Sequence, residues 1–173
     1  MTTTRQAIAL AVPVGICLGA AGIGSVLTTP SLHPWYATLR KPSWTPPNWL
    51  FGPVWTALYL GMAVAGWLVG RQAGFSHAKL PLTLFVIQLA LNVAWSGIFF
   101  GLQLVGVAFL EVVLLWLFIL STTVAFWSIS RMASWLMVPY LIWVAYAAAL
   151  NAAIWRMNKR ERAGDERLLG PQH

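Results

Sequence analysis

Aromatic rings and amides, rather than acids or metal ligands, are the side chains in this sequence that could hold a ligand. Trp55 and Tyr59 are four residues apart, so a helix would place them on one face, one turn apart. Two further sets share helical spacing: Gln88, Asn92 and Trp95, and then Trp143, Ala147, Leu150 and Asn151. An interior lined by these groups suits a large, flat, apolar ligand with few polar atoms. Packing between helices, with the amides as interhelical glue, is an equally good interpretation.

Acid–base and metal chemistry have few candidate residues. The chain has four acidic residues, and it shows no Ser/His/Asp set, metal-ligand spacing, phosphate loop or carboxylate pair. Glu111 is the only acid in an apolar run, where functional and structural roles are equally open. His33 and His77 fall in loops, where a solvated histidine is more common than a haem ligand. The sequence therefore predicts no metal site and no obligatory cofactor.

The densest aromatic segment is residues 35–59, WYATLRKPSWTPPNWLFGPVWTALY. It holds four Trp, two Tyr and four of the ten Pro. The Pro46–Pro47 pair cannot lie inside a helix, so this part is a stiff loop that loses little entropy when it orders over a ligand. An aromatic belt at the membrane surface would explain Trp35, Trp49 and Trp155. It explains the density of Trp with Pro less well, and we predict a lid.

The composition indicates whether water or lipid surrounds the elements that carry these residues. Hydrophobic residues make up 59% of the 173 residues and charged residues only 9%, against about 25% charged in a soluble domain. The net charge of +7 could indicate nucleic acid binding. The basic residues, however, are scattered between apolar runs and gathered at the C-terminus, which is typical of membrane topology. A nucleic-acid partner is therefore excluded, and the lipid bilayer is expected to surround the chain.

Five apolar runs are each long enough to cross a bilayer, which takes about 20 helical residues. They are Gln6–Leu27, Trp49–Val69, Leu80–Phe100, Leu104–Ser128 and Trp135–Trp155. The predicted fold is an all-α, polytopic five-transmembrane-helix bundle formed as one domain by residues 1–158, followed by a polar, disordered tail at 159–173. Three small-residue motifs would allow close helix packing, within one chain or between two. They are Gly15/Gly19, Gly66/Gly70 and Gly97/Gly101.

Basic residues between the runs predict the orientation of the bundle. Four lie on the N-terminal side: Arg5, Arg71, Lys79 and Arg131. Seven lie on the other side: Arg40, Lys41, Arg156, Lys159, Arg160, Arg162 and Arg167. Because cytoplasmic segments favour Lys and Arg, we expect an integral, multi-pass protein with the N-terminus outside and the C-terminus in the cytoplasm. The sequence does not identify the membrane.

These motifs resemble the TspO/translocator protein family, also called tryptophan-rich sensory proteins or peripheral-type benzodiazepine receptors. The resemblance covers nearly the whole chain. It is carried by WYATLRKPSWTPPNW at 35–49, GPVWTALY at 52–59, QLALNVAW at 88–95, IFFG at 98–101, VPYLIW at 138–143 and LNAAIWRMN at 150–158. Many relatives have prolines where Ser96 and Gly97 stand, and Val107 replaces an aromatic residue of animal relatives. Ala152 stands where the sterol motif of animal relatives has Tyr, so physiological cholesterol transport is not predicted.

The resemblance implies a ligand and a site. Family members bind porphyrins such as protoporphyrin IX and haem, as well as isoquinoline carboxamides and benzodiazepines, and they are typically homodimers. The implied ligand-binding residues are Tyr36, Trp44, Phe51, Trp55, Tyr59, Asn92, Trp95, Trp143, Ala147 and Leu150. Some bacterial relatives are similar in promoting light-dependent porphyrin breakdown, and the two tryptophans needed there match Trp55 and Trp143.

Three functions follow as alternatives. The first is a porphyrin-binding membrane protein that senses, transports or regulates tetrapyrroles. The second is an enzyme-like protein that degrades porphyrin in light through Trp55 and Trp143. The third is a membrane scaffold or regulator whose cavity is incidental.

Overall fold

The computed structural model describes residues 3–32 and 35–169, and the side chains of residues 10–32, 35–74 and 77–159. The chain forms five long helices in sequence order. They are α1 (Thr3–Leu32), α2 (Asn48–His77), α3 (Lys79–Ser96), which continues into a π-helical turn at Gly97–Gly101, α4 (Val105–Trp127) and α5 (Arg131–Leu169). No strand occurs in the two described ranges. The predicted all-α class is therefore confirmed.

Each of the five helices is long and apolar enough to cross a membrane, as the sequence predicts. The spans are Leu10–Leu32, Asn48–Gly74, Lys79–Gly101, Val105–Trp127 and Arg131–Lys159. They run a few residues beyond most of the predicted apolar runs. The hydroxyls of Thr28 and Thr29 donate to the carbonyls of Gly24 and Ser25, both at 2.8 Å. Because these polar side chains are satisfied within the helix, α1 continues past its apolar run.

Local residue types explain where α2 begins and where it ends. Pro47 has an extended backbone (φ −65°, ψ 145°), and α2 begins at the next residue, Asn48. Near the other end Gly74 has φ 72°, a left-handed conformation that glycine adopts without steric cost. The amide of Ala78 donates to the carbonyl of Gly74 at 3.1 Å, and α3 begins at Lys79. Two antiparallel spans are thus joined by a very short turn.

Glycine allows α1, α2 and α3 to approach closely at one point. A Cβ atom on Gly66 would lie 3.4 Å from the Phe85 ring of α3 and 3.5 Å from Pro13 of α1. The Gly66/Gly70 motif therefore packs inside the monomer. By contrast, Gly15 and Gly19 are exposed, with open space where a Cβ would lie.

The helix geometry changes after Ser96. The chain forms a π-helical turn at Gly97–Gly101, closed by the Leu102 amide, which donates to the carbonyl of Gly97 at 2.8 Å. π-turns inside helices are frequent at functional sites. This turn holds the adjacent residues Phe99 and Phe100 in buried positions, with ring centroids 4.8 Å apart.

The connections fall into two groups at opposite ends of the bundle. The described part of the first loop, residues 35–47, contacts α5 near the end of its membrane span through Arg40 and Asn158. At the other end, the Gln72 side chain of α2 donates to the Ser130 hydroxyl between α4 and α5 at 3.1 Å. Helix α5 continues to Leu169, through much of the segment predicted as a disordered tail, and residues 170–173 lie outside the described residues.

Candidate functional site

A cavity of about 520 Å³ lies inside the bundle under the first loop. All five helices and the loop contribute to its walls. Nine of the ten predicted ligand-binding residues line it: Tyr36, Phe51, Trp55, Tyr59, Asn92, Trp95, Trp143, Ala147 and Leu150. Its volume falls within the range of about 300 to 1,000 Å³ that is common for small-molecule sites. Residues far apart in sequence therefore meet around one cavity.

Trp44 is the predicted residue that the structure does not bring to this cavity. Its side chain is 47% exposed and lines a separate, open groove between α2 and α5. The Tyr146 ring packs edge-on against it at 5.5 Å, and the Tyr146 hydroxyl donates to the Trp44 carbonyl at 2.7 Å. Tyr146 lines both the groove and the cavity. Trp44 thus contacts Tyr146, a residue of the cavity wall, without lining the cavity itself.

A buried chain of hydrogen bonds forms the polar part of the cavity wall. The Tyr59 hydroxyl of α2 donates to Asn92 Oδ1 of α3 at 2.7 Å. Asn92 Nδ2 then donates to the Tyr140 hydroxyl of α5 at 3.0 Å. All three side chains are buried. The network joins three helices and fixes the orientation of the amide and the phenol that face the cavity.

A second amide orients Trp95. The indole Nε1 of Trp95 donates to Asn151 Oδ1 at 3.2 Å, and Asn151 Nδ2 donates to the carbonyl of Val105 at 2.8 Å. Asn151 is 1% exposed. Together with Asn92 and the fully buried Gln88, it confirms that the intramembrane amides face the interior. The two sequence interpretations do not exclude each other, because Asn92 and Asn151 link helices and also line the cavity.

Aromatic side chains from α2 and α5 form much of the remaining wall. The Trp55 ring lies 5.6 Å from the Tyr59 ring and 6.1 Å from the Tyr140 ring, centroid to centroid. On the neighbouring helix α5, Trp143 meets the Phe51 ring of α2 at 5.9 Å and the Tyr146 ring at 5.8 Å. These contacts join the rings of α2 and α5 into one aromatic surface, on which a planar ligand could stack.

The described part of the first loop closes one end of the cavity, as predicted for a lid. The Tyr36 ring is buried against Phe99 and Phe100. Burial, with a smaller contribution from nearby Tyr146, raises the pKa of the Tyr36 phenol. Lys41 Nζ lies 4.5 Å from the centre of the same ring and donates to the Tyr36 carbonyl at 2.6 Å. Partial burial lowers the pKa of Lys41.

The cavity also opens sideways between α1 and α2. Several residues that line it are exposed on the outer surface of the bundle. From α1 these are Leu18, Ser25 and Thr29, and from α2 they are Gly52, Thr56 and Leu60. Because both helices cross the membrane, this opening faces the bilayer. A ligand dissolved in lipid could reach the cavity without passing the lid.

Sequence reasoning missed Tyr140, Tyr146 and the contribution of α1. The tyrosines belong to the face of α5 that carries Trp143 and Ala147, so extending the helical spacing upstream would have found Tyr140. The α1 wall, which includes Cys17 and Gly24, consists of residues with no distinguishing chemistry. Its position follows only from helix packing.

The remaining titratable candidates lie apart from the cavity lining. Glu111 is half-buried, and neither carboxylate oxygen has a hydrogen-bond partner among the described residues. His77 is exposed at the end of α2, and His33 lies outside the described residues. No group of three or more metal-ligating side chains occurs in the part of the chain that the structure describes.

Fold and site together define a class: a five-helix integral membrane protein with an aromatic, amide-lined internal cavity. The model of the TspO/MBR family matches residues 11–156, and the chain belongs to this family. It is 43% identical over 155 residues to the tryptophan-rich protein TspO of Chlorobaculum tepidum, a match covering 89% of this chain and 98% of that protein. It is 45% identical over 132 residues to the human translocator protein, covering 75% and 78% of the two chains. It is 42% identical over 147 residues to Rhodobacter capsulatus protein CrtK, covering 84% and 89%. The family resemblance in the sequence motifs is thereby confirmed.

Proposed function

We propose that this chain binds tetrapyrroles, such as protoporphyrin IX or haem, in the internal cavity and takes part in their sensing, transport or regulation. The observation that carries the proposal is the internal cavity of about 520 Å³ with an aromatic wall formed by α2 and α5. A macrocycle would stack against this wall, while Tyr59 and Asn92 offer polar contacts. The sensory and translocator names of the family members agree with a ligand-responsive membrane protein.

A cation at the lid supports an anionic macrocycle over a purely apolar one. Tyr36 lines the cavity, and Lys41 holds its ammonium over the Tyr36 ring. A porphyrin placed with its propionate groups toward the first loop would bring a carboxylate toward Lys41, which lies behind the cavity-lining Tyr36. The same walls would accept flat neutral compounds of the isoquinoline carboxamide or benzodiazepine type. These compounds would stack on the aromatic rings but would not pair with the Lys41 ammonium.

Quenching of tryptophan fluorescence by protoporphyrin IX tests the proposal. The purified protein in detergent should show saturable quenching, and Ala147→Trp should weaken binding at least tenfold by filling the cavity. Trp135→Phe is the matched control, because Trp135 is 62% exposed and lies outside the cavity. Absence of saturable quenching in the wild-type protein would instead favour a scaffold with an incidental cavity.

Light-dependent porphyrin degradation is a second candidate, favoured by one observation. Trp55 and Trp143 face the same cavity, and each indole lies within 6 Å of a tyrosine ring, Tyr59 and Tyr146 respectively. Such aromatic neighbours could relay an electron to or from a photoexcited porphyrin. Trp55→Phe and Trp143→Phe should then retain binding but lose bleaching under illumination. Bleaching no faster than in detergent alone would exclude this activity.

A homodimer is also proposed, because α1 presents Gly15 and Gly19 on the outer surface, where a Cβ atom would meet no described atom within 4 Å. Such small-residue faces let two membrane helices approach closely. Replacing both glycines with leucine should shift the mass measured by light scattering from dimer to monomer. Replacement of the packed Gly66 is not a usable control, because it would disturb the monomer itself.

A further inference from the structure

Two arginines stack on tryptophans at the end of the bundle opposite the lid. Arg71 Cζ lies 5.2 Å from the centre of the Trp67 ring, and Arg131 Cζ lies 5.6 Å from the centre of the Trp127 ring. Both arginine side chains are exposed. The Trp127 ring also meets the Trp135 ring edge-on at 6.2 Å. We call Arg71, Arg131, Trp127 and Trp135 the arginine–tryptophan patch.

One hydrogen bond joins the two elements that carry these arginines. Gln72, the residue after Arg71, donates from its side chain to the hydroxyl of Ser130, the residue before Arg131, at 3.1 Å. Ser130 is 5% exposed and Gln72 links it to the end of α2. The end of α2 is thus joined to the turn between α4 and α5. Both guanidinium groups lie at the same end of the bundle.

This end of the molecule has no acidic residue to balance its charge. The sequence contains four acids: Glu111, Glu161, Asp165 and Glu166. Glu111 lies near the start of α4, toward the lid, and the other three follow the last membrane span. Any anion that binds the patch would therefore come from outside the chain. Its arginines stand at or near span ends, Gly74 for α2 and Arg131 for α5, where the polar surface of a bilayer would lie.

We infer that the arginine–tryptophan patch binds the phosphate group of an anionic phospholipid in the leaflet on the N-terminal side. A guanidinium group presents several N–H donors in a planar fork that matches phosphate oxygens, and stacking on an indole holds that fork in place. Trp127 and Trp135 are 48% and 62% exposed, so their rings can pack on the glycerol and upper acyl chain. A free phosphate ion would use the arginines but leave both rings without a role. The assignment is independent of the ligand in the internal cavity.

Retention of lipid by the intact protein tests the site. The full chain is released from mixed phosphatidylglycerol and phosphatidylcholine micelles in a native mass spectrometer, and bound lipids are counted by mass. The wild-type protein should retain phosphatidylglycerol preferentially. The Arg71→Gln/Arg131→Gln variant should bind it about thirtyfold more weakly, at about 1 kcal/mol for each arginine. Arg71→Lys/Arg131→Lys should recover part of the loss, because charge remains but the planar fork does not.

A matched variant separates a built site from general electrostatic attraction. Arg156→Gln/Lys159→Gln removes two cations at the lid end, where Lys159 also lies over a tryptophan, Trp155, at 5.6 Å. This variant should retain phosphatidylglycerol as the wild-type protein does. An equal loss in both double variants, or no loss in the first, would overturn the assignment.

The wild-type protein supplies a second measurement in case the first variant does not fold. Phosphatidylglycerol should raise the thermal midpoint of the protein in detergent above the value in phosphatidylcholine. Inorganic phosphate at the same concentration should not reproduce that rise. Equal stabilisation by inorganic phosphate would mean that the patch recognises a free anion and not a lipid.

Discussion

At the scale of single residues, Lys41 carries a test that separates charged from neutral ligands. Its ammonium is held over the Tyr36 ring at the lid, next to the proposed position of the porphyrin propionates. Lys41→Gln should weaken protoporphyrin IX binding about fivefold, because a partly exposed ion pair contributes about 1 kcal/mol at most. Titration of tryptophan fluorescence measures this change.

Two comparisons show whether the effect comes from the charge of Lys41 itself. A neutral isoquinoline carboxamide should bind the Lys41→Gln variant with unchanged affinity. Lys159→Gln, which removes another cation held over an aromatic ring, should leave porphyrin binding unchanged. If both ligands weaken equally in Lys41→Gln, the residue acts by holding the loop and not by pairing with a carboxylate.

At the scale of elements, Asn158 fastens the lid to α5. The amide of Arg40 donates to Asn158 Oδ1 at 3.1 Å, and Asn158 Nδ2 donates to the carbonyl of Arg40 at 3.0 Å. Asn158→Ala should speed local opening of the first loop by about tenfold, since two hydrogen bonds of about 0.5 to 1.5 kcal/mol are lost. Hydrogen exchange at residues 38–45, followed by mass spectrometry, reports this opening. Arg156→Ala, an exposed neighbour on the same helix, should not change the exchange rate.

The contact between α4 and α5 depends on the absence of a side chain at Gly106. A Cβ atom there would lie 2.8 Å from Trp155 Nε1 and 3.0 Å from Trp155 Cε2. The indole is also stacked on Phe109, with centroids 5.9 Å apart, so it cannot move freely. Gly106→Ala should lower the free energy of unfolding by about 1 to 3 kcal/mol, the usual cost of overpacking. Gly22→Ala, where the added Cβ meets open space, should leave the thermal midpoint unchanged or raise it slightly.

Helical spacing predicted most of the cavity because lipid leaves the chain few alternatives. Backbone groups inside a bilayer must bond within their own segment, so the apolar runs are helices, and residues at i and i+4 share a face. That rule alone was enough to predict that Trp55 shares a face with Tyr59 and that Trp143 shares a face with Ala147. Trp44 lies in a loop, where no period relates residue number to direction. Its outward placement depends on the Tyr146 contacts, which only the packed structure contains.

At the scale of the whole molecule, the number and the order of the membrane spans could be predicted from the sequence. The arrangement of the helices around the cavity could not. Composition and run length suffice to count membrane helices. Helix α1 closes one side of the cavity and leaves a gap beside α2. The residues of α1 that lie there, such as Gly24, are small and form no pattern from which this packing could be predicted. Gly66, which packs within the monomer, and Gly15, which faces outward, belong to identical motifs. Their different roles emerge only from the packed bundle.

The orientation of the whole bundle in its membrane is the remaining prediction from charge. In the structure the first loop lies at the same end of the bundle as the end of the α5 membrane span, and the α2–α3 turn lies at the same end as the α4–α5 turn. One measurement on each side therefore determines the orientation. Ser43 and Ser128 are exposed on opposite sides. In a Cys17→Ala background, a membrane-impermeant maleimide added to sealed right-side-out vesicles should label Ser128→Cys and leave Ser43→Cys unlabelled. Both should react once the vesicles are opened with detergent. The reverse pattern in sealed vesicles would place the C-terminus outside, and the seven basic residues on its side would then not determine the topology.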